Sequence, residues 1–212
     1  MFSDFDDNLD ATLYTYRKLH YQIRFKVLLL KIYSSYEQMV LDNQFVPKNE
    51  NKIRDILMDN YLTKRVEAYR FKKEEGNNLG RVDIYIVETM NDDKPEFIIE
   101  CKLLDNKKLQ GITGKNSAYI KDGIQRFLTE HYFSYNNLYT NAMIGFIIEK
   151  IDIVSNIENL NILSDKCFNN SFDIHQKIEL LDNNIYQSIY RTINNKEFIV
   201  YHLMMDFSKK IK

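Results

Sequence analysis

The sequence predicts an α/β fold in which a mixed sheet is flanked by helices, with a helical addition at the N-terminus. Apolar residues recur at helical spacing over residues 8–42, two apolar runs within 81–104 are joined by a polar turn, and helical and strand patterns alternate after them. The 212 residues are enough for one domain with a hydrophobic core. We place the boundary at the proline-containing stretch NQFVPKNE, between a helical segment over residues 1–44 and an α/β domain over residues 45–212.

The composition excludes some classes of protein. The formal net charge is −1, so overall charge attracts the chain neither to nucleic acid nor to an anionic membrane, although a local basic cleft stays compatible with it. The acidic beginning MFSDFDDNLD lacks the order of a signal peptide, and no apolar stretch is long enough to span a bilayer. Cys101 and Cys167 are too few for a disulfide framework. We therefore expect a cytoplasmic protein.

The first predicted element is a long helix, or two nearly continuous helices, over about residues 8–42. Apolar and aromatic residues recur there at steps of three and four, as on one face of a helix. The stripe consists of Leu9, Leu13, Tyr16, His20, Ile23, Val27 and Leu30, and it continues through Tyr33, Tyr36 and Val40. We expect this helix to pack on the core, and a homodimer or a contact with a partner protein through it stays open.

A second helix is expected to begin after Asn49, because asparagine is a favoured N-cap residue. Its apolar positions are Ile53, Leu57 and Tyr61, and Glu50 falls on the same inward stripe. A carboxylate in the first turn is also favoured by the helix dipole. Glu50 is therefore either a capping residue or part of a site.

The next two predicted strands contain charged residues where apolar ones are expected. Residues 82–87 and 97–104 alternate as strands do, and NDDKP between them is typical of the turn of an antiparallel hairpin. Glu100 and Lys102 share one face of the second strand, and Asp83 interrupts the first. If these faces align, two carboxylates and an ammonium converge on one side of a sheet.

Such a cluster suits metal-dependent hydrolysis of a phosphodiester. Two desolvated carboxylates repel each other, and a hard divalent cation such as Mg²⁺ or Mn²⁺ relieves that repulsion. A bound metal lowers the pKa of a water, and an adjacent lysine orients the nucleophile or stabilises the transition state. The alternative is a charged hairpin edge on which these side chains are solvated or ion-paired.

The rest of the chain continues the alternation of helices and strands. A helix is expected over residues 116–133, a buried strand over 141–153 and a helix over 155–168. IYQSIYRTI, a short NNK turn and EFIVYHLMMDF predict a closing hairpin.

The charged hairpin resembles the PD-(D/E)XK motif of the restriction-endonuclease-like superfamily. VD at 82–83 is followed by ECK at 100–102, with the Glu50 helix before the hairpin and a helix and a strand after it. The stretch from YIKDGIQRFLTEHYF to NAMIGFII, residues 119–148, is similar to uncharacterised bacterial members, and YHLMMDF resembles their closing strand. The resemblance covers roughly residues 45–207, with Val82 in place of the usual proline.

The resemblance implies a restriction-endonuclease-like mixed sheet and a Mg²⁺- or Mn²⁺-dependent nuclease acting on DNA, in bacterial restriction or phage defence. By position, Asp83 and Glu100 would be metal ligands, and the backbone carbonyl of Cys101 would be a third. Lys102 would be the catalytic lysine, and Glu50 an outer ligand.

Basic residues around the motif are candidates for phosphate contacts, which would give sequence-independent and salt-sensitive binding of nucleic acid. They are Arg81, Lys107, Lys108, Lys115, Lys121 and Arg126. An ordinary solvated surface is the other interpretation of these charges.

Two other classes of function are alternatives to a nuclease. A catalytically inactive module that keeps the fold and binds nucleic acid or a partner protein is the main alternative. A serine or cysteine hydrolase is poorly supported, because no Gly-x-Ser-x-Gly segment is present and neither cysteine has an identifiable histidine partner.

Overall fold

The computed structural model describes residues 11–73, 76–77, 80–131, 135–168, 171–182 and 184–212. The helices are α1 (Ala11–Leu41), α2 (Glu50–Leu57), α3 (Thr63–Arg65), α4 (Lys115–Tyr119), α5 (Gln125–Leu128) and α6 (Ile153–Phe168). The strands are β1 (Tyr69–Lys73), β2 (Gly76–Asn77), β3 (Gly80–Arg81), β4 (Ile84–Glu88), β5 (Glu96–Leu104), β6 (Thr140–Ile147), β7 (Ile174–Asp182), β8 (Ile185–Arg191) and β9 (Glu197–Asp206). Two π-helical turns, Met58–Leu62 and Ile120–Ile124, join α2 to α3 and α4 to α5.

Seven strands form one mixed sheet in the order β1-β4-β5-β6-β9-β8-β7. The three central strands β5, β6 and β9 run parallel, and antiparallel strands extend the sheet on both sides. The central strands are almost entirely buried, as expected of parallel strands covered on both faces. The predicted mixed α/β class is confirmed.

Helices cover both faces of the sheet. On one face, the ring centroid of Phe25 in α1 lies 4.8 Å from that of Phe97 and 5.8 Å from that of Tyr201. On the other face, Phe127 of α5 stacks on Phe198 at 5.7 Å, and Leu160 of α6 joins the same core. The two cores fix the sheet between α1 and α2 on one side and α4 to α6 on the other.

Several predicted elements are confirmed. The Asn49 side chain accepts a hydrogen bond from the backbone N–H of Lys52 and caps α2. β4 and β5 form the expected antiparallel hairpin with Ile84 opposite Ile99, and β8 and β9 form the closing hairpin. No helix among the described residues has an apolar stretch long enough to cross a bilayer.

The helix α1 is confirmed over Ala11–Leu41. Its predicted inward stripe is confirmed at the end, where Tyr36 is buried and Tyr33 and Val40 pack against the core, but it is wrong for the earlier part of the helix. The stripe that includes Leu13, Tyr16, Ile23 and Val27 is exposed, whereas a second stripe is buried. The buried residues are Tyr21, Phe25, Leu28, Leu29 and Ile32. Both stripes follow the helical period, and the larger aromatic residues of the second one fill the space over the sheet. Leu9 and residues 1–10 of the predicted helical segment lie outside the described residues.

Two other predicted boundaries are wrong. The helix expected to reach residue 133 ends at Leu128, because Glu130 adopts a left-handed backbone conformation with φ of 55°. The strand expected to reach residue 153 ends at Ile147, and the side chain of Asp152 instead caps α6 by accepting a hydrogen bond from Ser155 N–H.

The edge strand β7 has no counterpart in the sequence analysis. Most of its residues are exposed or half-buried, and its pairing with β8 is irregular. A strand without a clear alternation of apolar and polar residues gives little sequence signal.

Candidate active site

The candidate site lies along the edge of β5, beyond the point where its pairing with β4 ends. β4 pairs with β5 only from Ile99 back to Glu96, so the following residues of β5 have no strand partner on that edge. Two carboxylates accept the backbone hydrogen bonds that a neighbouring strand would otherwise accept. Asp83 Oδ2 accepts a hydrogen bond of 2.8 Å from Cys101 N–H, and Glu50 Oε2 accepts one of 2.9 Å from Leu103 N–H. Asp83 thus lies just before β4 rather than inside a strand, and Glu50 reaches the same edge from the first residue of α2.

The ammonium of Lys102 is at the centre of the site. Its Nζ lies 2.7 Å from Glu100 Oε1, 3.7 Å from Glu50 Oε1 and 3.8 Å from Asp83 Oδ2. It also donates a hydrogen bond of 2.8 Å to the backbone carbonyl of Cys101. All five residues singled out for metal binding or catalysis in the sequence are therefore brought together.

Two arginines extend the cluster. Arg54 Nη1 lies 3.2 Å from Asp83 Oδ1, and Arg54 also binds Asp55 although its own side chain is almost fully buried. Arg126 Nη1 lies 3.1 Å from Glu100 Oε1, while much of the Arg126 side chain stays exposed. Sequence reasoning missed Arg54, although its place one turn after Glu50 on α2 was a usable signal.

Burial and charge set the protonation of the cluster. Burial, together with the charge of Asp83, raises the pKa of Glu100 to about 7, against the opposing effects of Lys102 and Arg126. Burial also raises the pKa of Glu50. Burial alone would lower the pKa of Lys102, but Glu100 and Glu50 outweigh it and raise that pKa, so Lys102 stays protonated. Burial raises the pKa of the Cys101 thiol well above its usual value, which leaves only the backbone of this residue for the site.

The oxygen atoms of the site are of the chemical type that binds a hard divalent cation. Carboxylate and carbonyl oxygens are the ligands that Mg²⁺ and Mn²⁺ prefer. Glu100 Oε2 is buried and has no hydrogen-bond partner in the described part of the chain, so an acceptor is left unsatisfied inside the cluster. Among the residues that the structure describes, no three His, Cys, Asp or Glu side chains form a ready metal cage. The carboxylates instead surround the Lys102 ammonium.

A glycine lets the helical layer approach this strand. A Cβ atom on Gly123, in the π-helical turn before α5, would lie 2.3 Å from Met143 Cε and 3.7 Å from Lys102 Cγ. A larger residue would require the flexible side chain of Met143, on β6, to move. The close approach places Arg126, three residues later, within reach of Glu100.

The predicted phosphate-binding residues are distributed unevenly around the site. Arg126 is in the site itself, and the charge of Lys115, the first residue of α4, slightly opposes the rise that burial causes in the pKa of Glu50. Lys107 is exposed and pairs with Glu149 at 3.3 Å. The other three are exposed: Lys108 lies near Thr113, Lys121 donates to the Ile112 carbonyl, and Arg81 belongs to β3.

Comparison of the chain with protein-family models, with curated proteins and with solved structures found no match.

Proposed function

We propose that the protein is a metal-dependent nuclease of the PD-(D/E)XK type, with a restriction-endonuclease-like fold, that hydrolyses phosphodiester bonds of DNA. One observation carries the proposal. Glu50, Asp83 and Glu100, which are far apart in the sequence, meet around the ammonium of Lys102 at the unpaired edge of β5. A protein that needed only a stable sheet edge would not require three carboxylates and a largely buried lysine there.

In this proposal Asp83, Glu100 and the Cys101 carbonyl hold Mg²⁺ or Mn²⁺, and Glu50 acts as an outer ligand. When bound, the metal supplies a water of lowered pKa and neutralises charge on the phosphate oxygens. The unsatisfied Oε2 of Glu100 supports this role, because it is a buried oxygen available for a further contact.

Lys102 would orient the attacking water and stabilise the negative charge of the transition state. Its raised pKa keeps it protonated at neutral pH, which suits electrostatic stabilisation rather than proton abstraction. Arg126 joins the buried Glu100 to the solvent-exposed side of the site, so it is placed to contact a substrate phosphate. Lys107, Lys108, Lys115 and Lys121 would hold the flanking backbone of the nucleic acid.

A catalytically inactive module that binds nucleic acid or a partner protein is the second candidate. The ion pairs of Glu100 with Lys102 and Arg126, and of Asp83 with Arg54, favour it because they already compensate these carboxylates within the protein. This candidate predicts binding without metal-dependent cleavage.

The proposal is tested by incubating the wild-type protein with supercoiled plasmid, linear duplex, single-stranded DNA and RNA, each with Mg²⁺, with Mn²⁺ and with EDTA. We expect metal-dependent cleavage of DNA that falls by about 10²-fold or more in Lys102→Met. Lys209→Met, which changes an exposed lysine at the end of the chain, is the matched control. Wild-type rates in Lys102→Met would contradict the assignment, and a role in phage defence would be tested by the plating efficiency of phage on cells that express each variant.

A further inference from the structure

The outer face of α1 carries apolar residues in a regular order. Leu13, Tyr16, Ile23 and Val27 are 47%, 66%, 48% and 45% exposed. Together with the exposed His20 and the half-buried Leu30, they are spaced by 3, 4, 3, 4 and 3 residues. We call these six positions the α1 seam.

This spacing is that of the apolar positions in a coiled coil, where two residues of every seven contact a partner helix. Leu19, which is 55% exposed, lies between the seam and Lys26 on the helix surface and widens the exposed apolar face. The opposite stripe of α1, with Phe25, Leu28 and Ile32, is fully buried against the sheet. The seam is therefore a second apolar surface, exposed from Leu13 to Val27 and partly covered at Leu30, which packs against the core.

The charges beside the seam are positive on both sides. Residues 11–36 contain no Asp or Glu, and Arg17 and Lys31 flank one side of the seam while Lys26 flanks the other. These three residues form no ion pair with an acidic side chain of the described residues, although Lys31 lies over the ring of Tyr69. By contrast, Arg24 is paired with Glu88, and Lys18 with Glu197.

The charge pattern selects among possible occupants of the seam. Both flanks of the seam are basic, so a second copy of α1 would place its basic residues against those of the first in either orientation. Like charges across a helix pair are unfavourable. A helix with acidic residues beside its own apolar stripe would instead be attracted.

We propose that the α1 seam binds an acidic amphipathic helix of a partner protein, packed along α1 as in a two-stranded coiled coil. α1 covers the face of the sheet opposite to α4 and α5, whereas Glu100 and Lys102 contact Arg126 and Gly123 on the side of those helices. The bound helix would leave the candidate active site open, so the proposal does not depend on the nuclease assignment.

The test uses synthetic peptides as probes for the full-length protein. One labelled peptide of four heptads has Leu at the two apolar positions and Glu at the flanking positions, and a matched peptide has Lys instead of Glu. Fluorescence anisotropy at physiological salt measures binding. We expect the Glu peptide to bind at least about tenfold more tightly than the Lys peptide. We also expect Ile23→Glu/Val27→Glu to weaken its binding by at least about tenfold.

Val154→Glu is the control, because Val154 is an exposed aliphatic residue on α6, away from α1. It should leave binding of the Glu peptide unchanged, and circular dichroism checks that each variant is folded. Failure of the Glu peptide to bind, or equal binding of the two peptides, would overturn the proposal.

Two other occupants are distinguished by parallel measurements. If sedimentation shows a wild-type dimer that is lost in Ile23→Glu/Val27→Glu, the seam binds a second copy of this chain rather than a partner protein. If the protein binds phosphatidylserine vesicles but not the Glu peptide, the seam binds a membrane surface rather than a partner protein. Either result overturns the proposal, and metal calorimetry on the same variant reports separately on the candidate active site.

Discussion

A neutral and an ionised cluster of buried polar side chains in the sheet differ in completeness as well as in charge. In one, His202 lies between Tyr119 OH, 2.9 Å from Nδ1, and Ser188 Oγ, 2.7 Å from Nε2, and all three side chains are buried. Burial lowers the pKa of His202 to about 3, so this chain of hydrogen bonds is neutral. Each of the four polar side-chain atoms in it has a partner.

The cluster around Lys102 is ionised and incomplete. Carboxylates of Glu50, Asp83 and Glu100 face Lys102 and two arginines, and Glu100 Oε2 lacks a hydrogen bond. A fully satisfied neutral network stabilises one packing of the core, whereas a partly satisfied ionised network costs free energy. We expect the first cluster to serve the fold, and under the proposed function the second is retained for a ligand.

The largest expected effect on stability comes from Arg54→Met. Arg54 is 2% exposed and, among the described residues, is the nearest cation to Asp83, so its loss leaves this partly buried carboxylate with only Lys102, at 3.8 Å, to compensate its charge. We expect the free energy of unfolding in EDTA to fall by about 3–4 kcal/mol. If the site binds a divalent cation, Mn²⁺ should restore part of that loss. Urea unfolding with and without Mn²⁺ measures both effects, and a loss under 1 kcal/mol would show that the carboxylate is not under electrostatic stress.

The raised pKa of Glu100 predicts how stability depends on pH. Its folded pKa of about 7 lies above the unfolded value of 4.5, so the folded protein holds the proton more tightly between these values. The metal-free wild type should therefore lose stability relative to Glu100→Gln as pH rises from 4.5 to 7. The difference in the free energy of unfolding between the two proteins should reach at most about 3 kcal/mol above pH 7 and vanish below pH 4.5. Parallel stability curves of the two proteins in EDTA from pH 4 to pH 8 would contradict this account.

Ser188→Ala tests the neutral cluster. The substitution leaves Nε2 of the buried His202 without its partner, and we expect a loss of about 1–3 kcal/mol in the free energy of unfolding. Divalent cations should not change this loss, in contrast to Arg54→Met. A recovery on addition of Mn²⁺ would remove the distinction between the two clusters.

The smallest effect is expected at the surface. Lys107→Gln/Lys108→Gln removes two exposed charges near the site, so the stability of the fold should change by less than about 0.5 kcal/mol. Affinity for DNA should fall, and the slope of log K against log salt should decrease by up to about 2 in magnitude. Lys64→Gln/Lys209→Gln is the matched control, and equal effects of the two pairs would exclude a specific role for the loop after β5.

The sequence was sufficient to predict the candidate site because strand parity is a local property. Glu100 and Lys102 interrupt an otherwise apolar strand, Asp83 immediately precedes β4, and the Asn49 cap fixes where Glu50 begins its helix. The convergence of these residues follows from one antiparallel hairpin and one helix end, both of which have strong sequence signals.

Other features depend on tertiary packing and could not be predicted. α1 has apolar residues on both sides, so the helical period alone does not determine which stripe meets the sheet. The pairing of Arg54 with Asp83 joins residues 29 positions apart, and no spacing rule indicates it. The irregular edge strand β7 is held by pairing with β8 and by Asn161, which binds the backbone of Ile178 from α6.

Calorimetric titration of Mn²⁺ into the wild-type protein and into Asp83→Asn/Glu100→Gln tests the central claim most directly. Asp92→Asn/Glu158→Gln, which changes two exposed acidic residues, is the matched control. We expect binding in the wild type and in the control and its loss in the site variant, because the carboxylates around Lys102 supply the ligands. Equal binding in all three proteins, or no binding in the wild type even with DNA present, would contradict a metal site at this edge of the sheet.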